Sequence, residues 1–300
     1  MLLPFGGLSA QDTLQRRITF RYQNDFFSAT DRYLTQEVTF RYQTPFVTGI
    51  PSARLLLRME GSSVQGDLFV RQQCYTPRSI RRDTIFTGER PFAAALFIGQ
   101  EQVGTDAERG LRLTSSLRLG VLGPCALCAE EQRGIHRALD NIEPLGWQFQ
   151  VAGAPILNYA VRIDKRLWKR GWTELSGGLQ GELGTYRTNG LVSARFEVGR
   201  FRSPFATAIV LDRRFRFSVA FTGEVKAVAH DATMQGGLFD AASVYVLPAS
   251  ALERVVLRGG WEAKLSFKRT ALSFNKVHLT REFKGGLAHG WGGFTLDVWL

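Results

Sequence analysis

The sequence has no run of about 18 uninterrupted apolar residues, the length a helix needs to cross a bilayer. A transmembrane helix is therefore excluded. A membrane β-barrel is not excluded, because each of its strands needs only about 10 alternating residues. Long segments rich in Ala, Glu, Lys and Leu are also missing, which argues against a helical bundle or a coiled coil.

Cysteine is scarce, with three residues in a chain of 300, too few for a disulfide scaffold. Cys125 and Cys128 form a single C-x-x-C. No second pair completes a zinc site, and no βαβ pattern surrounds the motif as in redox proteins. We interpret the two residues as an incidental pair or as a pair capable of a local disulfide.

Sequence motifs of soluble enzymes are absent: there is no G-x-S-x-G elbow, P-loop, G-x-G-x-x-G or H-E-x-x-H. The four histidines, His136, His230, His278 and His289, lack metal-ligand spacing. The net charge of +11 suits an anionic partner, either nucleic acid or the phosphorylated face of a lipid. The basic residues are spread along the chain and form no nucleic-acid motif, so we expect no nucleic-acid partner.

Alternation of apolar and polar residues dominates the chain. It is clearest over residues 111–121, 215–224, 254–268 and 294–300. About a dozen such segments occur, each with one apolar face and one face of Arg, Lys, Glu and Ser. A soluble β-sandwich also alternates, but charge along one whole face of every strand fits lipid outside and a polar lumen. We therefore predict an all-β fold, a closed antiparallel transmembrane β-barrel of about 12 strands with one short helical loop segment.

The chain divides into a short N-terminal segment and one domain. Residues 1–10 are apolar and end in small residues, which predicts the remnant of a secretory signal peptide, the alternative being an ordinary chain end. Residues 11–300 form a single barrel domain. Residues 126–141 break the alternation and predict a short helix or helical loop, on which Gln132 and His136 share one face.

Polar residues at strand ends are candidates for a binding site. Asn24 and Asp25 end the first predicted strand, and alternation puts Asp25 on the lumen face with Arg21. Thr35 opens the next strand, also on the lumen face, so that Asp25 and Thr35 could meet across the hairpin. Carboxylate, amide and hydroxyl oxygens suit a hard cation such as Ca²⁺. The alternative is that Asn and Asp serve here as turn formers.

His136 is the best candidate for a general base, because imidazole exchanges protons near neutral pH. Gln132 or the nearby Glu143 could orient it. The alternative is a surface histidine on the polar face of a helix.

Short motif blocks follow one another along residues 20–300. They are Asn24-Asp25, Asp31-Arg32-Tyr33-Leu34-Thr35, Tyr75-Thr76-Pro77, Glu89-Arg90-Pro91-Phe92-Ala93, Gly120-Val121-Leu122-Gly123-Pro124, Gln132, His136, Gly146-Trp147, Gln235-Gly236-Gly237-Leu238-Phe239 and Thr280-Arg281-Glu282-Phe283. In this order and spacing, which together are specific, the blocks resemble the outer-membrane lipid A 3′-O-deacylase family.

The resemblance implies a twelve-stranded barrel in the outer membrane of a Gram-negative bacterium. It also implies Ca²⁺-dependent hydrolysis of the acyloxyacyl ester at the 3′ position of lipid A, and thus lipopolysaccharide and outer-membrane lipid as partners of a monomer. His136 would activate water, and Gln132 and Thr35 would orient water or substrate. Asn24 and Asp25 would lie near a Ca²⁺ that polarises the ester carbonyl.

Two further residues receive roles from the same resemblance. Glu143 fills the position of the family's catalytic glutamate if the spacing after His136 shifts by one residue. Arg90, or other basic groups at the lumen edge, would meet the phosphates of lipid A.

Two other functions stay open. The chain departs from the family pattern at several positions, including Gln36-Glu37 in place of Asn-Gly. A non-catalytic barrel, either a narrow pore or a lapsed enzyme, is one alternative. A barrel phospholipase is the other.

Overall fold

The computed structural model describes residues 16–30, 32–207, 214–240 and 242–300, so the signal-peptide remnant predicted at residues 1–10 lies outside the described residues. Twelve antiparallel strands form a closed ring in which β1 pairs with β12. The strands are β1 Arg17–Asn24, β2 Tyr33–Gln43, β3 Ser63–Thr76, β4 Ala93–Asp106, β5 Leu111–Leu122, β6 Ala154–Arg170, β7 Thr173–Gly184, β8 Arg187–Gly199, β9 Arg216–Asp231, β10 Val255–Phe267, β11 Thr270–Leu279 and β12 His289–Trp299. The α-helices are α1 Cys128–Ala138 and α2 Ala232–Gln235. The predicted fold is confirmed.

The two faces of the strands divide as the alternation predicts. On β9 and β10 the apolar side chains of Phe217, Phe221 and Leu257 are exposed on the outer wall. The intervening Arg258 and Glu262 line chambers inside the barrel. Apolar side chains on the outside of a closed barrel match a surface covered by lipid. Within the described residues, no helix is long and apolar enough to cross a bilayer.

The two ends of the barrel differ in the length of their connections. At the end where β1 begins and β12 ends, three of the five connections are short turns, at residues 107–110, 171–172 and 268–269. The opposite end, here called the loop end, carries the long segments 77–92, 123–153 and 232–254. In barrels of this type the longer loops face the cell exterior.

The lumen is covered at the loop end. Helix α2 follows β9 and also contacts β4, which lies five strand positions away around the ring. It therefore crosses the mouth of the barrel. Apolar side chains from strands and loops pack beneath and beside it in two clusters, which include Leu34, Phe97, Met234 and Leu247. Two chambers remain inside the lumen, of about 320 Å³ and about 300 Å³.

Candidate active site on the outer wall of the barrel

The predicted site residues of β1 lie on the outside of the barrel. Tyr22 and Asn24 alternate on the same face as Ile18, which is exposed on the apolar outer wall. Arg21 and Gln23, on the other face, line the inner chamber. A site that contains Asn24 therefore faces lipid and not the lumen.

A β-bulge moves Thr35 to the same outer wall. Leu34 pairs with Tyr75 and lines the lumen, whereas Gln36 pairs with Cys74, so Thr35 is the extra residue between them. An extra residue in one strand breaks the simple alternation of faces. Thr35 lines an outer cavity together with Gln36. The prediction that Thr35 lies on the lumen face is wrong for this reason.

The segment after β5 folds back over the outer wall. The turn begins at Gly123, where φ is 90° and a Cβ atom would lie 2.8 Å from the carbonyl carbon of Ala152, so only glycine fits. Helix α1 then starts at Cys128, whose sulfur is bonded to Cys74 on the outer face of β3. Cys125 is an exposed free thiol. Cys125 and Cys128 therefore form no disulfide with each other, and their C-x-x-C spacing is incidental, as in the first of the two interpretations. The sequence analysis did not predict the pairing of Cys128 with the distant Cys74.

Contacts beneath α1 hold the helix against the wall. Trp147, Phe92 and Ile80 form an apolar cluster with the disulfide. The Trp147 indole donates a hydrogen bond of 2.7 Å to Oε1 of Gln132. The Gln132 amide nitrogen lies 3.4 Å from the Thr35 hydroxyl oxygen, to which it donates. Gln132 is therefore fixed between the helix, its loop and the strand.

A cavity of about 60 Å³ lies between α1 and the ends of β1 to β3. It is lined by Tyr22, Asn24, Thr35, Gln36, Cys74, Cys128, Glu131, Gln132, Ile135 and His136. The structure thus brings Asn24 and Thr35 together with Gln132 and His136, which lie in a distant part of the chain. Sequence reasoning missed Tyr22, Gln36 and Glu131 as site residues. Two features of the sequence could have identified two of them. Tyr22 lies two residues before Asn24 and thus on the same strand face, and Glu131 directly precedes Gln132.

His136 is oriented by a backbone carbonyl. Its Nδ1 lies 2.5 Å from the carbonyl oxygen of Ile142. A carbonyl can only accept, so Nδ1 carries a proton, and Nε2 is the ring nitrogen that can serve as a proton acceptor. Glu143, the candidate orienting acid, instead pairs with Arg137 at 3.3 Å on the exposed surface of the helix.

Asn24 and Asp25 have turn-forming roles as well as a place near the cavity. Asn24 Oδ1 accepts 2.7 Å from the backbone N–H of Phe26, and its amide nitrogen donates to the Tyr22 hydroxyl at 3.0 Å. β1 ends at Asn24, and Asp25 begins a 3₁₀ turn, Asp25–Ser28, so the predicted lumen face of Asp25 is not realised. The buried Asp25 carboxylate accepts the backbone N–H of Arg32.

Oxygen atoms dominate the polar lining of the cavity. Glu131 Oε1 accepts from the Gln36 amide at 2.6 Å, which joins α1 to β2 a second time. The donor set also includes the Asn24 amide oxygen and the Thr35 hydroxyl. No three His, Cys, Asp or Glu side chains cluster at metal-binding distance in the part of the chain that the structure describes. A cation here would need amide, hydroxyl and water oxygens beside a carboxylate.

Arg90 lies away from this cavity, inside the loop end. Its guanidinium is buried, donates to the Thr233 hydroxyl at 2.9 Å and pairs with Glu282 at 3.4 Å. It also stacks over the Tyr75 ring at 4.4 Å. These contacts tie the loops over the lumen to one another and leave Arg90 no open face for a ligand outside the barrel.

The chain is similar to known outer-membrane barrels. The family model described as "Outer membrane protein LpxR" matches residues 1–300. No protein of curated function matches the chain. Among solved structures, LpxR from Salmonella typhimurium superposes with a TM-score of 0.76 at 16% identity, covering 95% of this chain and 100% of that one. The β domain of the Bordetella autotransporter BrkA gives a TM-score of 0.44 at 9% identity, covering 95% of this chain and 97% of that one. Because the family model covers the whole chain, this protein belongs to the outer membrane protein LpxR family, the lipid A 3′-O-deacylase family of the sequence resemblance, and resides in the outer membrane.

Proposed function

We propose that this protein is a Ca²⁺-dependent deacylase that hydrolyses the acyloxyacyl ester at the 3′ position of lipid A. The observation that carries the proposal is a polar cavity with an oriented histidine that opens on the lipid-facing wall of a barrel. A polar cavity on that wall suits a substrate that is itself part of the membrane. The long loops place the cavity on the exterior side, where the outer leaflet holds lipid A.

Apolar side chains around the cavity support an acyl substrate. Ile135 both lines the cavity and is 41% exposed. Leu127 and Leu139, which flank α1, and Phe26, on the turn after β1, are more exposed still. Such side chains are stable beside hydrocarbon and costly in water. They would border the acyl chain while the ester reaches the polar lining.

The residues of the cavity account for ester hydrolysis. His136 Nε2 takes a proton from water as the water oxygen attacks the ester carbonyl carbon. The proton then passes to the sugar oxygen as the carbon–oxygen bond breaks, which releases the fatty acid and a free 3′ hydroxyl. Gln132, held at both ends of its amide, orients the water. The Thr35 hydroxyl accepts from Gln132 and keeps its own proton to donate to the developing oxyanion.

The donor set fits Ca²⁺, which prefers carboxylate, amide and hydroxyl oxygens. Glu131 and Asn24 line the cavity, and Asp25 follows Asn24 directly. These three residues would hold the ion, and Glu131 joins the pair expected from sequence because it lines the cavity beside Asn24. When bound, Ca²⁺ supplies positive charge that polarises the ester carbonyl.

Arginines other than the buried Arg90 would contact the lipid A phosphates. Arg81 and Arg82, in the segment between β3 and β4, are exposed at the loop end. That segment joins the loop that carries α1, because the backbone N–H of Leu145 donates to the Ile80 carbonyl at 2.9 Å. Guanidinium groups at this position match phosphate geometry.

The proposal is tested by incubating the purified barrel with lipopolysaccharide and with a glycerophospholipid in parallel, and weighing the products by mass spectrometry. Loss of one acyloxyacyl unit from lipid A alone is the expected result. Hydrolysis of the phospholipid alone would establish the phospholipase alternative. If neither lipid is hydrolysed although the barrel is folded, the protein is a lapsed enzyme. A pore is disfavoured because α2 crosses the mouth of the lumen.

Removal of Ca²⁺ is expected to abolish acyl release, because the cavity offers oxygen ligands for a hard cation. EDTA should reduce the rate to background, and added Ca²⁺ should restore it. Mg²⁺ should restore it poorly, since Mg²⁺ demands tighter octahedral geometry. Full activity in EDTA would contradict the Ca²⁺ requirement. His136 would then act as the general base without a metal ion.

Trp147→Phe is expected to lower kcat about fivefold with little change in KM. The variant keeps most of the buried ring but removes the N–H that fixes Gln132 Oε1. A hydrogen bond of this kind contributes about 1 kcal/mol, which corresponds to about a fivefold change in rate. Trp261→Phe, on the outer face of β10, is the matched control and should be unchanged. Equal losses in the two variants would show that Trp147 does not act through Gln132.

A further inference from the structure

The proposed deacylase chemistry leaves the charged interior of the barrel without a role. Inside, below the apolar clusters of the loop end, lies a chamber of about 300 Å³. Six basic side chains line it, namely Arg21, Arg71, Arg118, Arg187, Lys226 and Arg258. Four glutamates face them, namely Glu37, Glu182, Glu224 and Glu282. The lining therefore carries more positively than negatively charged side chains.

Most of these charges are paired within the wall. Three of the arginines pair with glutamates of the same chamber: Arg71 with Glu37 at 3.8 Å, Arg118 with Glu182 at 2.7 Å, and Arg258 with Glu224 at 3.2 Å. Arg187 pairs with Asp231 at 3.1 Å, and Glu282 pairs with Arg90 at 3.4 Å. Arg21 and Lys226 remain, with no ion pair or side-chain hydrogen bond to any residue the structure describes.

Hydrogen-bond donors without acceptors accompany this excess of charge. Nε of Arg21, Nε of Arg118 and Nε1 of Trp291 are buried in the chamber wall and have no partner among the described residues. One acceptor, Asn189 Oδ1, likewise has no hydrogen-bond partner. Buried polar atoms are normally satisfied by protein, water or a ligand. A hydrated anion supplies acceptors to the three N–H groups and a water proton to Asn189.

The guanidinium groups of the chamber indicate the class of anion. Glu37 exerts the largest charge effect on Arg21, followed by the like charges of Arg71 and Arg258 and then by Glu262. Guanidinium forks match the oxygens of a tetrahedral anion better than a spherical halide. The chamber is also large enough for such an anion with several waters, each of which occupies about 30 Å³ in the liquid.

We propose that this chamber is a binding site for one small tetrahedral oxyanion of the phosphate or sulfate class. Arg21 is its principal ligand, and Lys226 and the Trp291 N–H complete the site. The anion neutralises the excess charge inside the barrel and ties β1, β9 and β12 together. The site is separate from the outer-wall cavity, so it stands whether or not the protein hydrolyses lipid A.

The test is a selenate soak of crystals of the intact protein, with equilibrium dialysis of labelled phosphate and of labelled sulfate in detergent at constant ionic strength. One anomalous selenium peak within hydrogen-bond distance of Arg21 is expected. The two dialysis arms show which oxyanion the site prefers. Arg21→Gln should weaken binding about tenfold or more, the usual effect of losing a charged hydrogen bond. Lys226→Gln provides the same test if Arg21→Gln fails to fold.

Arg162→Gln is the matched control, because Arg162 pairs with Asp164 and lines neither chamber. It should bind the anion as the unchanged protein does. An empty chamber in the selenate soak, or occupation by bromide but not by selenate, would overturn the proposal. Equal binding by the unchanged protein and by the folded Arg21→Gln and Lys226→Gln variants would overturn it as well.

Discussion

His136→Ala is expected to lower the rate of acyl release by about a hundredfold or more, the usual effect of removing a general base. The imidazole is the one side chain in the cavity with a neutral nitrogen free to take a proton from water, because Nδ1 is committed to the Ile142 carbonyl. His136 lies near the C-terminal end of α1, and α1 belongs to the connection between β5 and β6, outside the barrel wall. Its removal should therefore leave the twelve strands intact.

The measurement is the mass of lipid A after reaction with each variant, together with the heat-dependent electrophoretic mobility that reports a folded barrel. His278→Ala is the matched control, since this exposed histidine lies on β11 and not in the cavity. It should keep full activity. Activity that survives His136→Ala in a folded barrel would remove the histidine from the mechanism and point to Glu131 as the base.

The barrel itself could be predicted from the sequence because lipid and lumen impose opposite chemistry on alternate residues. The segment 254–268 illustrates this, since its apolar residues face outward along β10 and Arg258, Glu262 and Lys264 face the lumen. The helix was also predictable, over 126–141 against an observed Cys128–Ala138. Its bounds moved because the turn at Pro124–Ala126 and the disulfide start the helix two residues later.

The side of the wall on which the site lies could not be predicted from alternation. Alternation of faces holds only inside a regular strand, and neither Asp25 nor Thr35 lies in one. Asp25 follows the end of β1, and Thr35 is the bulged residue of β2. One extra residue is enough to move a side chain from lumen to lipid. By contrast, Gln132 and His136 lie four residues apart on one helix, so their shared face could be predicted from the sequence.

Much of the basic charge lies inside the barrel, on the strand faces that the alternation predicts to be polar. Nine arginine and lysine side chains line one lumen chamber and six line the other, whereas the net charge of +11 by itself suggested only an anionic partner. Composition counts charges without saying which face of a strand they occupy. A barrel can therefore be strongly basic mainly because of its interior.

Loss of the Cys74–Cys128 disulfide is expected to lower kcat about tenfold or more and to leave the barrel folded. The bond joins the outer face of β3 to the first residue of α1, and both cysteines line the cavity. Without it, α1 depends on contacts such as the Gln36–Glu131 hydrogen bond and the bond from the Gln72 amide to the Ala126 carbonyl. Each contributes about 1 kcal/mol, whereas a disulfide typically contributes about 2–4 kcal/mol.

The variant for this test is Cys74→Ser with Cys128→Ser, compared with Cys125→Ser. Cys125 is exposed and unpaired, so its replacement controls for the loss of a thiol and should not change the rate. Reduction of the unchanged protein should reproduce the loss, and reoxidation should reverse it. The barrel does not need the bond, because its twelve strands close through β1 and β12. Full activity in the double variant would mean that hydrogen bonds and the packing of Trp147 alone position His136 against the wall.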